Sequence, residues 1–343
     1  MSIQTQLASL QDQTIEPWLT TALEGVEARF AAELTSDLPC VNRLLEHIER
    51  YQGKMLRPRL VLVSAMACSQ ASGKPSNAQQ VLATVVELVH MATLVHDDIL
   101  DEAHIRRGGD TINYLAGNET AVMLGDYLIS HAYHLCSSLD NMAISRSIAD
   151  TTNRVCEGEL LQLANRFNWS LDEQSYFEIV RRKTASLCGV CCQLAAELGG
   201  RGAGVAEGLY EYGEKVGVAF QIVDDLLDLV GVERTVGKTL GRDVDKGKLT
   251  LPLIHHLSTA DKASYDAALL ILGKSKDDSS GQLSRDQLDE IHKLVTDSGA
   301  VDYAVDWASR MVVQAKAALE VLPQSPARNV LSSMADLVLT RKF

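Results

Sequence analysis

The pattern Asp-Asp-x-x-Asp occurs twice in this chain. It runs from Asp97 through Asp98 to Asp101, and again from Asp224 through Asp225 to Asp228, each time directly after an apolar run that should be buried. In a helix, residues four apart share one face, so Asp97 would project beside Asp101 and Asp224 beside Asp228. Two carboxylates about 4 Å apart repel by roughly 4 kcal/mol at an effective dielectric of about 20. A fold does not keep such a clash twice for its own stability, so a cation is expected at each set. Hard oxygen ligands, with no Cys or His inside either repeat, favour Mg²⁺, which leaves positions open for phosphate oxygens. One such motif alone reads equally well as a solvated helix face or an N-cap. Two of them in apolar context do not.

The composition sets the frame for these helices. At 343 residues the chain has room for one large domain or two ordinary ones, and 46% hydrophobic residues supply a core. Aromatics are only 5%, and Leu, Ala, Val and Glu dominate, which favours long helices over a sandwich or barrel. Periodicity predicts two helices within residues 1–50, then helices over Val81–Leu100, Ala121–Leu139, Ile148–Leu163 and Ser175–Leu198, and one carrying the second aspartate set. Ser69–Asn77 reads as a loop, Gly199–Gly204 as a flexible joint and Gly273–Arg285 as a polar linker; no strand with period-two alternation is evident. The expectation is an all-α chain forming a single domain over residues 1–343.

Several functions are disfavoured. A net charge of −13 argues against nucleic acid as a partner. The N-terminus lacks a basic stretch followed by an apolar one, and apolar runs such as Leu60–Cys68 stop short of the roughly 18–20 residues of a membrane span. Seven cysteines, an odd number, suggest reduced thiols and a cytoplasmic location. Cys188, Cys191 and Cys192 have helical spacing but no second thiol pair, so they read as small buried residues rather than a metal site.

Basic groups come from separate segments. Lys54, Arg57 and Arg59 precede or open a helix near Pro58, where free backbone N–H groups favour an anion; a solvated basic loop is the plainer reading. His90 lies two turns before Asp97, where a helix histidine is ordinarily just satisfied core. Arg106 and Arg107, followed by Gly108 and Gly109, make a pyrophosphate clamp, since guanidinium binds phosphate as a fork. Gly237-Lys238-Thr239 invites a nucleotide P-loop, but five residues rather than four separate it from Gly231 and no strand precedes it. A mobile loop reaching over phosphate with Lys238 and Lys248 fits better. Carboxylate sets for metal, scattered cations and an apolar interior together suit ionisation of a hydrocarbon diphosphate, with the resulting cation shielded from water.

These segments together resemble the trans-isoprenyl diphosphate synthases, or polyprenyl synthetases. The likeness is carried by Gly53-Lys54-x-x-Arg57-Pro58, Glu87-x-x-His90, both aspartate motifs, Arg106-Arg107-Gly108, Gly125-Asp126, Lys183-Thr184, Phe220-Gln221 before the second motif, Gly237-Lys238, and Gly247-Lys248-x-Thr250-Leu251-Pro252. It runs from about residue 50 to 260 and more weakly beyond. The resemblance implies an all-α isoprenoid synthase fold around a central hydrophobic cavity, usually homodimeric, with the aspartate helices facing across its mouth. It implies about three Mg²⁺ ions held through carboxylate and phosphate oxygens. Asp97, Asp101 and Asp224 would be ligands, with Asp98, Asp225 and Asp228 supporting them directly or through water. Arg106, Lys183, Gln221, Lys238 and Lys248 would hold an allylic diphosphate of the farnesyl or geranyl class. Lys54, Arg57, His90 and Arg107 would hold isopentenyl diphosphate, and Lys183, Thr184 and Gln221 would stabilise the allylic cation. His104 departs from the acidic residue often found there.

Product length follows cavity depth. Thr93 and Ala92 lie about 6–8 Å down the helix from Asp97 at ~1.5 Å per residue. Short-chain members place a bulky aromatic near here, so Ala92 and Thr93 resemble the walls of medium- and long-chain enzymes making quinone side-chain precursors. Met91, Met123 or Tyr127 could form a deeper floor. Competing readings are a short-chain farnesyl or geranylgeranyl diphosphate synthase, a terpene cyclase, a phosphohydrolase built on His90, His96 and Asp97, and a silent subunit of a heteromeric synthase.

Overall fold

A computed structural model describes residues 15–48, 51, 53, 55–69, 75–231, 241–277 and 283–340, without the side chains of 274–277. Lys54 and Lys238 lie outside the described residues. The fold is all-α, and its helices divide into two compact units: Met1–Thr152 with Leu187–Gly213 and Ala318–Ser333, and Asn153–Ser186 with Glu214–Ala317 and Met334–Phe343.

The first unit holds α1 (Glu16–Glu33), α2 (Pro39–Ile48), α3 (Leu56–Cys68), α4 (Asn77–Leu100), α5 (Ile112–Ala116), α6 (Asn118–Ser137) and the start of α7 (Met142–Ala164). Helix α4 is its axis. Ser76 caps its start: its hydroxyl accepts from the Gln79 N–H at 3.2 Å, and the Gln79 side chain accepts from the Ser76 N–H at 2.8 Å. Val81, Leu82, Val85, Val86, Leu88, Val89 and Met91 are all buried, so the helix is apolar around its circumference, as a core helix must be. Burying each such side chain is worth about 1.5–3 kcal/mol. By length and composition α4 could cross a membrane, which the sequence reading did not foresee. Here that apolar surface is covered by α1, α3 and α6. Helix α6 comes close because of Gly125, where an added Cβ would strike the His96 ring.

After α4 the chain makes a small antiparallel hairpin, β1 (Ile105–Arg106) with β2 (Gly109–Asp110), pairing Ile105 with Asp110 and Arg106 with Gly109. The two turn residues, Arg107 (φ 50°) and Gly108 (φ 78°), both adopt positive φ, as a two-residue hairpin turn of this kind demands. The sequence reading expected no strand. Two residues per strand are too few to show alternation.

The second unit holds the end of α7, α8 (Glu173–Val180), a π-helical turn (Arg181–Ala185), most of α10 (Ala203–Val230), α11 (Arg242–Asp245), α12 (Leu251–Thr259), α13 (Lys262–Asp277), α14 (Arg285–Asp297) and α15 (Ala300–Ala318). Helix α9 (Ser186–Leu198) follows the π turn and belongs almost wholly to the first unit, as does the start of α16 (Pro326–Leu339). The expected helix over Ser175–Leu198 is present and keeps helical backbone throughout, with a π turn at Arg181–Ala185 that the sequence reading did not foresee. Helix α13 also runs into the expected polar linker, because Lys and Asp after Gly273 tolerate helical geometry. The three clustered cysteines of α9 are buried, as expected.

Candidate active site

Both aspartate sets stand at the C-terminal ends of their helices. The first occupies the last turn of α4, with Asp101 as the C-cap; the second occupies the last two turns of α10. A helix C-terminus already carries about half a negative charge, so these carboxylates add to the wrong pole and raise the local demand for a cation. In the first set, the Asp101 N–H donates to Asp97 O at 2.8 Å, and the Ala103 N–H to Asp98 O at 2.8 Å across Glu102, whose φ is 47°. Asp97 and Asp101 are half-buried.

Asp98 is different. It is 1% exposed and receives a forked guanidinium, with Arg106 Nε donating to both carboxylate oxygens at 2.9 Å and Arg106 Nη2 to Oδ1 at 2.7 Å. Such charge-assisted forks are strong and directional. Asn113 Nδ2 ties off the backbone, donating to Asp98 O at 3.2 Å and Ala103 O at 3.1 Å. Arg107 Nη1 donates to Tyr51 O, and Gly53 makes room for that guanidinium, since a Cβ there would lie 2.5 Å from Arg107 Nη2.

Below this edge sits a second cationic group. Burial raises the Glu87 carboxyl, opposed by the charges of Arg57 and Arg107. Burial, and then Arg57, Arg107 and Arg106, hold the His90 imidazole well below its ordinary range, so it stays neutral. Arg57 Nε is buried without a hydrogen-bond partner among the described residues, which suits a ligand oxygen. Met91 and Ala92 are fully buried, Thr93 and Tyr127 are half-buried, and Met123 is exposed. The Thr93 hydroxyl donates to His90 O at 2.7 Å.

In the second unit a chain of hydrogen bonds runs through the other motif. The Thr184 hydroxyl donates to Gln221 Oε1 at 2.9 Å, Gln221 Nε2 donates to Asp225 Oδ1 at 2.8 Å, and the Tyr176 hydroxyl donates to Asp225 Oδ2 at 2.6 Å. Both Asp225 oxygens are thus engaged. Burial, then repulsion from Asp243, pushes its carboxyl well up. Lys183 pairs with Glu159 and donates to Gln162 Oε1 at 2.8 Å. Lys183 and Thr184 lie in the π turn, a local irregularity often found where function needs a side chain re-aimed. Asp228 Oδ2 accepts from the Asp243 N–H at 3.0 Å, and Asp224 is half-buried.

Lys248 is 8% exposed, with Nζ 4.0 Å from Asp243 Oδ1. Its neighbour Gly247 (φ 69°) accepts from the Phe167 N–H at 2.8 Å. At this end the expected loop holds the short helix α11 and a turn at Lys246 and Gly247. Residues 232–240, including Gly237 and Lys238, lie outside the described residues.

The sequence reading missed Tyr51, Tyr176, Glu159, Gln162 and Asp243. Tyr176 and Lys183 are seven residues apart, so helical periodicity was the available signal for that pair. Glu159 and Gln162 flank one helical turn beside Gly158, a glycine whose place inside a helix needs a packing reason.

Residues 39–287 match the model of the polyprenyl synthetase family. The chain belongs to the polyprenyl synthetase family. It is 34% identical to the octaprenyl diphosphate synthase of Haemophilus influenzae over 94% of each chain. It is also 37% identical to a geranylgeranyl pyrophosphate synthase of Geoglobus acetivorans, over 87% of this chain and 90% of that one. The polyprenyl synthase of Caulobacter crescentus, solved with calcium and isoprenyl diphosphate, superposes with a TM-score of 0.88 at 30% identity, over 97% of this chain and 98% of that one. Membership makes this polyprenyl synthetase a prenyltransferase that forms trans-polyprenyl diphosphates.

The donors fit Mg²⁺. All are hard carboxylate oxygens at negatively polarised helix ends, and Mg²⁺ is usually held by one or two carboxylates together with phosphate and water. Among the described residues no group of three acidic, His or Cys side chains is gathered closely enough to hold an ion by itself.

Proposed function

We propose that this polyprenyl synthetase joins isopentenyl diphosphate head-to-tail to an allylic diphosphate of the geranyl or farnesyl class, giving a medium- or long-chain trans-polyprenyl diphosphate. The placement of both carboxylate sets at negative helix ends supports this reading best, because it creates a need that Mg²⁺ and a diphosphate together meet. Asp97, Asp101, Asp224 and Asp228 would hold the ions. Asp98 and Asp225, each bonded at both oxygens to neighbouring side chains, would position Arg106 and Gln221. Bound Mg²⁺ would neutralise the departing diphosphate.

Lys183, Arg106 and Lys248 would orient the allylic diphosphate. Arg57, Arg107 and neutral His90 would receive isopentenyl diphosphate, the Arg57 Nε finding there its missing acceptor. Thr184 and Gln221 would present fixed dipoles to the allylic cation. The released diphosphate takes the proton, so no side-chain base is required.

The deciding assay supplies the protein with Mg²⁺, labelled isopentenyl diphosphate and farnesyl diphosphate. Elongated prenyl diphosphates are expected; free phosphate, a cyclic hydrocarbon or no product would each point to another reading. Ala92 is fully buried, and we take it with Thr93 as the wall of the product channel. Ala92→Phe should then shift the product ladder to shorter chains by mass spectrometry, and an unchanged ladder would remove it from that role.

A homodimer is part of the same reading. Helix α6 exposes Val122, Met123 and Tyr133, an apolar stripe that a second copy would cover. Sedimentation velocity should show a dimer. All seven cysteines are free, which fits a reducing cytoplasm.

A further inference from the structure

Tyr51, in the first unit, lies among Asp98, Arg106 and Arg107 at the edge of the first aspartate motif. Tyr51 is 2% exposed. Its hydroxyl accepts the Ile112 N–H at 3.1 Å, and burial, then the nearby Asp98 charge, raises the phenol. Its ring lies under the Arg106 guanidinium, 5.9 Å from Cζ to centroid. Its carbonyl accepts from Arg107 Nη1. Ring and carbonyl thus meet Arg106 and Arg107, the Asp98 partner and its neighbour, while the hydroxyl anchors the side chain to the Ile112 N–H.

The physical need for such a residue is plain. A carboxylate and a guanidinium buried together are costly unless every remaining donor and acceptor is satisfied, and their geometry is only as firm as what holds them. The Arg106 fork uses both oxygens of Asp98, yet a fork alone can swing about its own axis. The Ile112 N–H fixes the hydroxyl and so the ring, and the ring face under the guanidinium limits that swing. The hairpin turn at Arg107 adds the third anchor through backbone.

We propose that Tyr51 is a positioning residue for diphosphate binding, holding Asp98, Arg106 and Arg107 in one arrangement beside the metal-binding pair Asp97 and Asp101. It touches no reacting atom. The proposal rests on the assignment of Arg106 and Arg107 to diphosphate made above.

The test compares the full-length protein with Tyr51→Phe, which keeps the ring and removes only the hydroxyl. Affinity for inorganic pyrophosphate with Mg²⁺ is measured by calorimetry, the Mg²⁺ concentration for half-maximal elongation by kinetics, and the melting temperature by scanning. Losing the hydroxyl that anchors the ring to the Ile112 N–H should weaken Mg²⁺-pyrophosphate binding by about fivefold and raise the Mg²⁺ requirement in step. Tyr51→Leu, which also loses the ring face, should weaken it further. A lowered melting temperature with unchanged pyrophosphate affinity and Mg²⁺ requirement would mean that Tyr51 is only packing, and overturns the proposal. Should Tyr51→Phe fail to fold, Asp98→Asn decides: it keeps the side-chain shape but weakens the charged fork that Tyr51 is proposed to hold, so the same weakening is expected, and unchanged affinity overturns the proposal. If the wild type itself binds no Mg²⁺-pyrophosphate and elongates nothing, the assignment beneath the proposal falls first, a result distinct from a silent Tyr51→Phe.

Discussion

Gln221 has both ends of its amide committed, the carbonyl to Thr184 and the amide to Asp225, so the direction of its dipole is fixed before substrate arrives. Preorganised dipoles of this kind cost nothing to reorient during reaction. Gln221→Leu should lower kcat by about 10²-fold with a smaller change in KM for the allylic diphosphate, read by steady-state kinetics. An effect on KM alone would make Gln221 a binding group only. His90 offers a different test. Burial and the charges of Arg57, Arg107 and Arg106 keep its imidazole well below the ordinary 6.5, with the raised carboxyl of Glu87 close by. Below about pH 6.5 the unfolded chain therefore binds a proton that the folded one refuses, and stability is lost as pH falls through that range. Melting temperatures measured from pH 7 to 5 should drop less steeply for His90→Gln than for the wild type. Equal slopes would remove His90 as a source of the acid sensitivity.

The π turn at Arg181–Ala185 depends on a neighbour. Gly158 on α7 lies so close that an added Cβ would stand 2.5 Å from Lys183 N and 2.8 Å from Arg182 Cβ. Gly158→Ala should push the turn away, misplace Lys183 and Thr184, and cost about 10²-fold in kcat/KM together with a lower melting temperature. Activity within a few-fold of wild type would show that the turn can yield. At this scale the sequence was uneven as a guide. Helix α4 was legible because its apolar run is long and its aspartates sit at its end, and Lys183-Thr184 could be found by motif. The π turn could not, since Arg-Arg-Lys-Thr-Ala reads as ordinary helix and the extra residue per turn is imposed by packing. The hairpin was hidden for a related reason: its positive φ at Arg107 has no compositional signature, although Gly108-Gly109 marked a turn. The turn around Lys248 depends on Phe167, far away in sequence, which no local pattern announces.

For the molecule as a whole, chemical reactivity should divide the cysteines cleanly. Burial raises the thiols, Cys68 to about 11 and Cys192 to about 12, while Cys40 and Cys156 are exposed. Brief iodoacetamide treatment of the native protein should therefore label Cys40 and Cys156 and spare Cys68, Cys136, Cys188, Cys191 and Cys192, as peptide mapping would reveal. Labelling of the α9 thiols without denaturant would mean that this packing opens readily. The acidic ends of α4 and α10 reach further still, because they tie endurance to supply. Whatever relieves those negative poles binds only the folded chain, and a ligand at about 100 times its Kd adds roughly 2.7 kcal/mol of protection. The chain supplied with Mg²⁺ and pyrophosphate should therefore outlast the bare chain under limited proteolysis, and equal lifetimes would show that the poles are not relieved by that pair.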